Sequence, residues 1–218
     1  MKKTLFPAIG MLLAGLANSG HAAVTTIDFN SIALHPTNHE ISVPKPYLED
    51  GFKLTTLAGV SFQLSGGTLY AIMPSSPYWT GSVGLYSGVV TNHGSAFLLE
   101  KQDGGSFDLL SMDAASFWTI ASGRQFSVYG YPQAGGSVSQ SFLLDATTNT
   151  LETLYFNDSF KNLNKIIFSS TYAQVDNIKL GLPSPISAVP VPSAAWLLLS
   201  GLGFISRRNM AKALRWSR

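Results

Sequence analysis

Aromatic rings placed to meet solvent are the residues of this chain best suited to chemistry, and that chemistry is stacking rather than bond-making. In the run R-Q-F-S-V-Y-G-Y, Tyr129 and Tyr131 fall on one parity while Phe126 and Val128 fall on the other. A strand there would turn the two tyrosines to one face and the apolar pair to a core. Tyr78 and Trp79 occupy the Pro/Ser-rich loop M-P-S-S-P-Y-W-T-G, and Trp118 follows a strand-like run. Exposed rings of this kind stack on the apolar faces of sugar rings. At each position the competing expectation is ordinary cross-strand or loop packing.

Among the acids, Asp176 stands out. Within V-D-N-I-K-L it shares parity with Ile178 and Leu180, which directs it toward the core side. A buried carboxylate needs partners or costs several kcal/mol. One arrangement is a structural calcium ion, with Asp176 and Asp28 on neighbouring terminal strands and backbone carbonyls completing the shell. Calcium takes six to eight oxygens, and two acids do not define that. The other arrangement is a carboxylate accepting backbone N–H groups at a turn. His35, His39 and Glu40 have helical spacing for a zinc pair, but Pro36 follows His35, so they read as loop residues.

Catalytic patterns are missing. No G-x-S-x-G nucleophile elbow, dinucleotide fingerprint or Walker motif occurs. Glu49 and Asp50 precede Gly51 in what reads as a solvated turn. The chain has no cysteine, so thiol nucleophiles, thiolate metal sites and disulfides are excluded.

The elements that must carry these residues read as β-strands. Strand-like runs are expected at 24–29, 52–57, 60–64, 69–73, 81–86, 96–101, 107–117, 125–131, 138–144, 151–156, 163–169 and 175–180, with a tight turn at Ala58-Gly59. Their regular spacing, with Gly, Asn, Asp or Pro between them, predicts an all-β antiparallel sandwich. Val138, Phe142 and Leu144 alternate with Ser139 and Ser141, the pattern of a strand with one face on a core.

Both ends carry targeting patterns. Lys2 and Lys3, the apolar stretch Leu5 to Leu16 and the small residues Gly20-His21-Ala22 form a signal peptide over 1–22, with cleavage by signal peptidase expected after Ala22. No charged residue lies between Lys179 and Arg207. The apolar run 194–206 is followed by five basic residues: Arg207, Arg208, Lys212, Arg215 and Arg218. This predicts a short membrane helix with the basic tail in the cytoplasm and the body outside. Residues 183–188 form a Pro/Ser linker, and 23–182 form the sandwich domain. That domain holds seven basic and twelve acidic residues, a net charge of about −5. Such a balance excludes nucleic acid as a partner.

The segment Val189-Pro190-Val191-Pro192-Ser193, followed by the apolar run and Arg207-Arg208, resembles a PEP-CTERM sorting signal. Pro190 and Pro192 match the two prolines of that motif and Ser193 the small residue after them; Val191 replaces the usual Glu. The resemblance implies an exported protein of a Gram-negative bacterium. An exosortase would process it at the membrane for the cell envelope, cell surface or extracellular matrix. The upstream pieces T-T-I-D-F-N, Y-L-E-D-G-F, G-G-S-F-D-L-L-S-M-D-A and V-D-N-I-K-L are similar to jelly-roll domains related in outline to carbohydrate-binding modules. That resemblance implies a non-enzymatic domain that binds exopolysaccharide, often with a structural calcium site. Two other readings stay open: a structural surface protein that binds protein or itself through β-edges, and a glycan-active hydrolase.

Overall fold

Stretches rich in Phe, Leu, Val, Thr and Tyr that alternate with Ser and Gly favour extended backbone, and with few helix formers between them the chain folds as stacked sheets. The computed structural model describes residues 23–58, 64–65, 67–88, 95–116, 124–169 and 173–183. The strands are β1 (Val24–Ile27), β2 (Glu40–Val43), β3 (Tyr47–Glu49), β4 (Phe52–Ala58), β5 (Leu64–Ser65), β6 (Leu69–Ile72) and β7 (Leu85–Ser87). They continue with β8 (Ser95–Lys101), β9 (Asp108–Ser116), β10 (Arg124–Pro132), β11 (Val138–Leu144), β12 (Glu152–Tyr155), β13 (Leu163–Ser169) and β14 (Ala173–Gly181). A 3₁₀ turn, Asp158–Phe160, precedes β13.

Two antiparallel sheets result. The first runs β12-β9-β14-β7-β6-β2, with β1 also on β14; the second runs β11-β10-β13-β8-β4-β3, with β5 on β4. One edge of β14 pairs with β9, while β1 and β7 share the other, at Ile178–Gly181 and at Val175. The expected β-sandwich is therefore what forms. Both sheets supply its core, with Phe29, Phe52, Phe97, Phe107, Phe126, Phe160 and Phe168 among the fully buried side chains. Phe52 meets Phe107 edge-on, with centroids 5.3 Å apart, and Phe97 lies 5.2 Å from Phe168. Each such ring contributes roughly 1.5–3 kcal/mol by burial, with somewhat more from its aromatic partner.

Local chemistry sets several boundaries. β1 stops at Ile27, short of the expected Phe29, because Asp28 Oδ1 accepts from the Asn30 N–H (3.0 Å) and Phe29 takes a φ of 57°. β3 and β4 form a hairpin around Asp50-Gly51, with Glu49 opposite Phe52 and φ values of 48° and 79° at the two turn residues. Asp-Gly is the sequence signature of that type I′ geometry.

Two strands escaped the sequence reading. β2 and β3 are four and three residues long and flank Pro44-Lys45-Pro46, so neither shows enough alternation to register. The run expected over 81–86 forms only as Leu85–Ser87.

Ala58, expected in a tight turn with Gly59, instead ends β4 and pairs with Leu64 and Ser95, because the strand runs on into the ladder with β5 and β8. Gly59, most of the run 60–64, the signal peptide, the linker from 184 and the whole sorting segment lie outside the described residues. Among the described residues no helix is long and apolar enough to cross a membrane.

Candidate functional site

The outer face of the second sheet carries two of the sequence-predicted residues, Tyr129 and Tyr131, both on β10. β10 is paired on both sides, by β11 and by β13, so its alternation is enforced. Phe126 and Val128 point to the core, and Tyr129 (41 % exposed) and Tyr131 to the opposite face. The predicted split of this strand is borne out.

Cross-strand register builds three rows on that face. In the first, Ser139, Tyr129, Ile167, Leu98 and Thr55 stand side by side across five strands. In the second, Tyr131, Lys165, Glu100, Lys53 and Leu48 follow the same order. In the third, Ser127 and Ser141 share a hydroxyl hydrogen bond of 2.9 Å, and Ser169 stands opposite Ala96. A shallow groove of about 180 Å³ runs between the first and third rows, lined by Ala96, Ser127, Tyr129, Ile167 and Ser169. Lys53 pairs with Glu100 at 2.9 Å, and the Lys165 ammonium lies 5.0 Å from the centre of the Tyr131 ring.

An aromatic ring and aliphatic side chains beside a row of hydroxyls and fixed charges is a surface of mixed character. The rings offer apolar area, and the hydroxyls offer paired donors and acceptors to a polyhydroxylated ligand. Ile167, Ser127, Ser169, Lys165 and Glu100 were not singled out from sequence. Strand parity alone would have placed them, but pairing order is needed to bring them beside Tyr129.

Tyr78 and Trp79 are not brought to this face. They lie in the connection between β6 and β7 of the first sheet, where Trp79 packs against the core. The loop is tied down: Gln174 Nε2 donates to the Tyr78 carbonyl (2.8 Å) and to that of Thr148 (3.1 Å). Trp118 lies outside the described residues. His35 and His39 are loop residues, with the His35 N–H directed at Met73 Sδ (3.3 Å) and the His39 carbonyl accepting from Met73 (3.0 Å).

The first sheet carries a second aromatic pair that sequence reading missed. Tyr70 and Tyr86 stack at 5.3 Å across β6 and β7, and Tyr86 donates to Glu40. The rings face each other, so one broad face of each is spent on the other.

Asp176 is wholly buried. One oxygen accepts from the Asn177 N–H (2.7 Å) and the other from the Ser82 hydroxyl. Burial pushes its carboxyl up to about 6, against the lowering effect of these two donors; Asp113 and Asp28 add smaller upward contributions. Asp113 in turn accepts from Thr153 (2.7 Å) and Asn177 Nδ2 (2.9 Å). Asp28 is held below the ordinary carboxylate range, chiefly by the Asn30 N–H. Among the described residues no group of three His, Cys, Asp or Glu side chains is placed to hold a metal. Two of the roughly four acceptor sites of the Asp176 carboxylate are taken by these donors, and a calcium shell around Asp28 and Asp176 would need further oxygens from backbone carbonyls.

At one end of the sandwich, Ser31 and Tyr47 hydroxyls lie 2.7 Å apart, and Tyr47 donates to Glu49 Oε2 (2.9 Å). Burial raises the Glu49 carboxyl, and the charge of Asp28 adds to the rise. Ser31 and Tyr47 border an apolar cavity of about 450 Å³, with Ile32, Ile41, Val43 and Pro46. No sequence motif marks it, because residues of the 31–33 turn, β2 and β3 meet there only in the fold.

No family model matches the chain, and no curated protein matches it. Solved structures with partial likeness include a mutant of the family 29 carbohydrate-binding module CBM29-2. It has a TM-score of 0.41 and 11 % identity, and the match covers 76 % of this chain and 100 % of that one. The family 32 carbohydrate-binding module of NanJ from C. perfringens, in complex with galactose, has a TM-score of 0.32 and 11 % identity, covering 65 % of this chain and 98 % of that one. The family 11 module from Clostridium thermocellum, in complex with a mixed-linked tetrasaccharide, has a TM-score of 0.32 and 16 % identity, covering 73 % of this chain and 96 % of that one. All three scores lie below 0.5, so the chemistry of the site is read from this chain's own residues.

Proposed function

We propose that this chain is an exported, non-enzymatic polysaccharide-binding protein of the cell envelope, cell surface or extracellular matrix, with a jelly-roll-like sandwich as its binding body. In this reading residues 1–22 carry it out of the cytosol and signal peptidase removes them. The PEP-CTERM-like segment 189–218 then holds it transiently in the inner membrane for an exosortase.

The observation that carries the binding function is the outer face of the second sheet. Tyr129 stands there, exposed, on a line with Ile167 and Leu98 and beside the Ser127, Ser141 and Ser169 hydroxyls. A sugar ring has one apolar face and an equatorial belt of hydroxyls, and this surface offers a match for each. Tyr78 and Trp79 contribute to the fold beneath their loop rather than to this face.

The test is binding of the purified full-length chain to cell-surface polysaccharide. Tyr129→Ala is expected to weaken binding about tenfold or more, since a stacked ring contributes on the order of 1–2 kcal/mol. Trp79→Ala is expected to lower thermal stability while leaving the face intact. Undiminished binding by a folded Tyr129→Ala variant would remove this face from the proposal.

A second reading, self-association through an edge, is favoured by one observation. β11 ends the second sheet with the sequence V-S-Q-S-F-L-L, which has no charge and no proline, and its Leu143 is 73 % exposed. Protective features of that kind are what edge strands ordinarily carry. The hydrolase reading has less support. Glu49 accepts from the Tyr47 hydroxyl (2.9 Å) and the Phe29 N–H (3.2 Å), and Asp28 accepts from the Asn30 N–H (3.0 Å), so both carboxylates of this end are engaged in holding the fold.

A further inference from the structure

The charged row on the binding face has a sign, and that sign selects among polysaccharides. On the outer face of the second sheet the described charged side chains are Lys53, Glu100 and Lys165. Lys53 and Glu100 neutralise one another at 2.9 Å. Lys165 stands opposite Glu100 in register, yet it takes part in none of the ion pairs formed among the described residues, which are Lys53–Glu100, Lys101–Asp103 and Lys161–Asp158. Its ammonium lies instead over the Tyr131 ring, 5.0 Å from the centroid. Lys165 is one residue pair along β13 from Ile167, and Tyr131 is the same step along β10 from Tyr129. The surplus cation therefore sits directly beside the stacking ring.

The rest of the domain makes this local charge informative. Residues 23–182 carry about −5 overall, so a polyanion gains nothing from the protein surface at large and is repelled by most of it. A face with a net charge of +1 inside an acidic domain is locally complementary to an anionic ligand. The ring contact also fixes the ammonium without satisfying its N–H donors, which stay available for charge-assisted hydrogen bonds.

We propose that the polysaccharide bound on this face is an acidic one, a polyuronate. One sugar ring stacks on Tyr129 while the carboxylate of its neighbour pairs with Lys165 beside Tyr131. This rests on the polysaccharide-binding reading above and narrows it to a ligand class.

The experiment measures binding of the full-length chain to two polyuronates, polygalacturonate and alginate, and to carboxyl-reduced forms of the same polymers. Reduction keeps the linkage and removes the charge. The expected result is a preference of about tenfold for at least one polyuronate over its reduced form. Lys165→Met should lower the polyuronate affinity by a similar factor, and Lys165→Arg should retain it. Thermal unfolding of each variant, matched to that of the parent chain, separates this from misfolding. If a polyuronate and its reduced form bind equally, or if Lys165→Met binds polyuronate as the parent does, the acidic ligand class is overturned and polysaccharide binding survives. If neither polymer binds in either form, the acidic ligand class is overturned too, and the polysaccharide reading stands or falls on binding to cell-surface polysaccharide.

Discussion

Asp176 shows how one side chain can be legible in sequence and still surprise in its energetics. Parity with Ile178 and Leu180 predicted an inward carboxylate, and it is completely buried. Its partners, the Ser82 hydroxyl from another strand connection and the neighbouring Asn177 N–H, needed the fold to identify. The two donors do not offset burial, and the folded pKa rises from 3.8 to about 6. The native state therefore holds the proton more tightly than the unfolded chain does. The stability gained from protonation is full below about pH 4 and is lost as pH rises to about 6. Above that, ionised Asp176 costs up to about 3 kcal/mol. Asp176→Asn keeps an acceptor for the Asn177 N–H and presents its amide to the Ser82 oxygen. It should raise stability near neutral pH by up to about 3 kcal/mol, with the gain vanishing near pH 4, as read by denaturant unfolding across that range. The melting temperature should be the same in calcium and in chelator. A rise in calcium that Asp176→Asn abolishes would restore the metal site that the described carboxylates do not assemble.

At the scale of elements, the strands most clearly written in the sequence are those with long alternation. β11 and β13 occupy the expected spans, and β9 and β10 differ by a residue or so at their ends. Short strands between prolines, β2 and β3, were invisible because three or four residues carry no period. The binding face was half legible for a related reason. Alternation gave Tyr129 and Tyr131 their side, but which strands lie next to β10 is a matter of topology, and Ile166 of β13 comes from 36 residues downstream to pair with Gly130 only through the fold. Irregularities were also hidden. β14 slips register between Asp176 and Lys179, and Asn177 takes the left-handed region with a φ of 45°. Asn tolerates that region better than most residues, and here its amide also donates to Asp113 at 2.9 Å. Asn177→Ala should cost about 2 kcal/mol, the sum of left-handed strain and one lost hydrogen bond. Asn177→Gly should cost less than about 1 kcal/mol, because it loses the bond and relieves the strain. Equal losses in the two variants would show that the bulge is not held by its backbone conformation.

For the whole molecule, the described domain begins and ends at one place. Val24 pairs with Gly181, and the Leu182 N–H donates to the Ala23 carbonyl at 2.7 Å. The proposed signal cleavage after Ala22 would leave β1 complete and this closing bond intact, because Ala23 contributes its carbonyl rather than its amide. Processing within 189–193 would likewise fall beyond Leu182, the last residue of the closing bond. Removing either targeting segment should therefore leave the stability of the sandwich unchanged, whereas removing β1 strips Ile27 from the core and its pairing from β14, and should cost several kcal/mol. The measurement is intact-mass analysis of protein recovered from its native cells, paired with thermal unfolding. The expected species starts at Ala23, lacks the Arg207-Arg208 tail and melts with the full chain. An uncut chain in the cytosolic fraction would remove export from the proposal. A mature start inside β1 would contradict the placing of the cleavage site, since the domain could not lose those residues and keep its closing pairs.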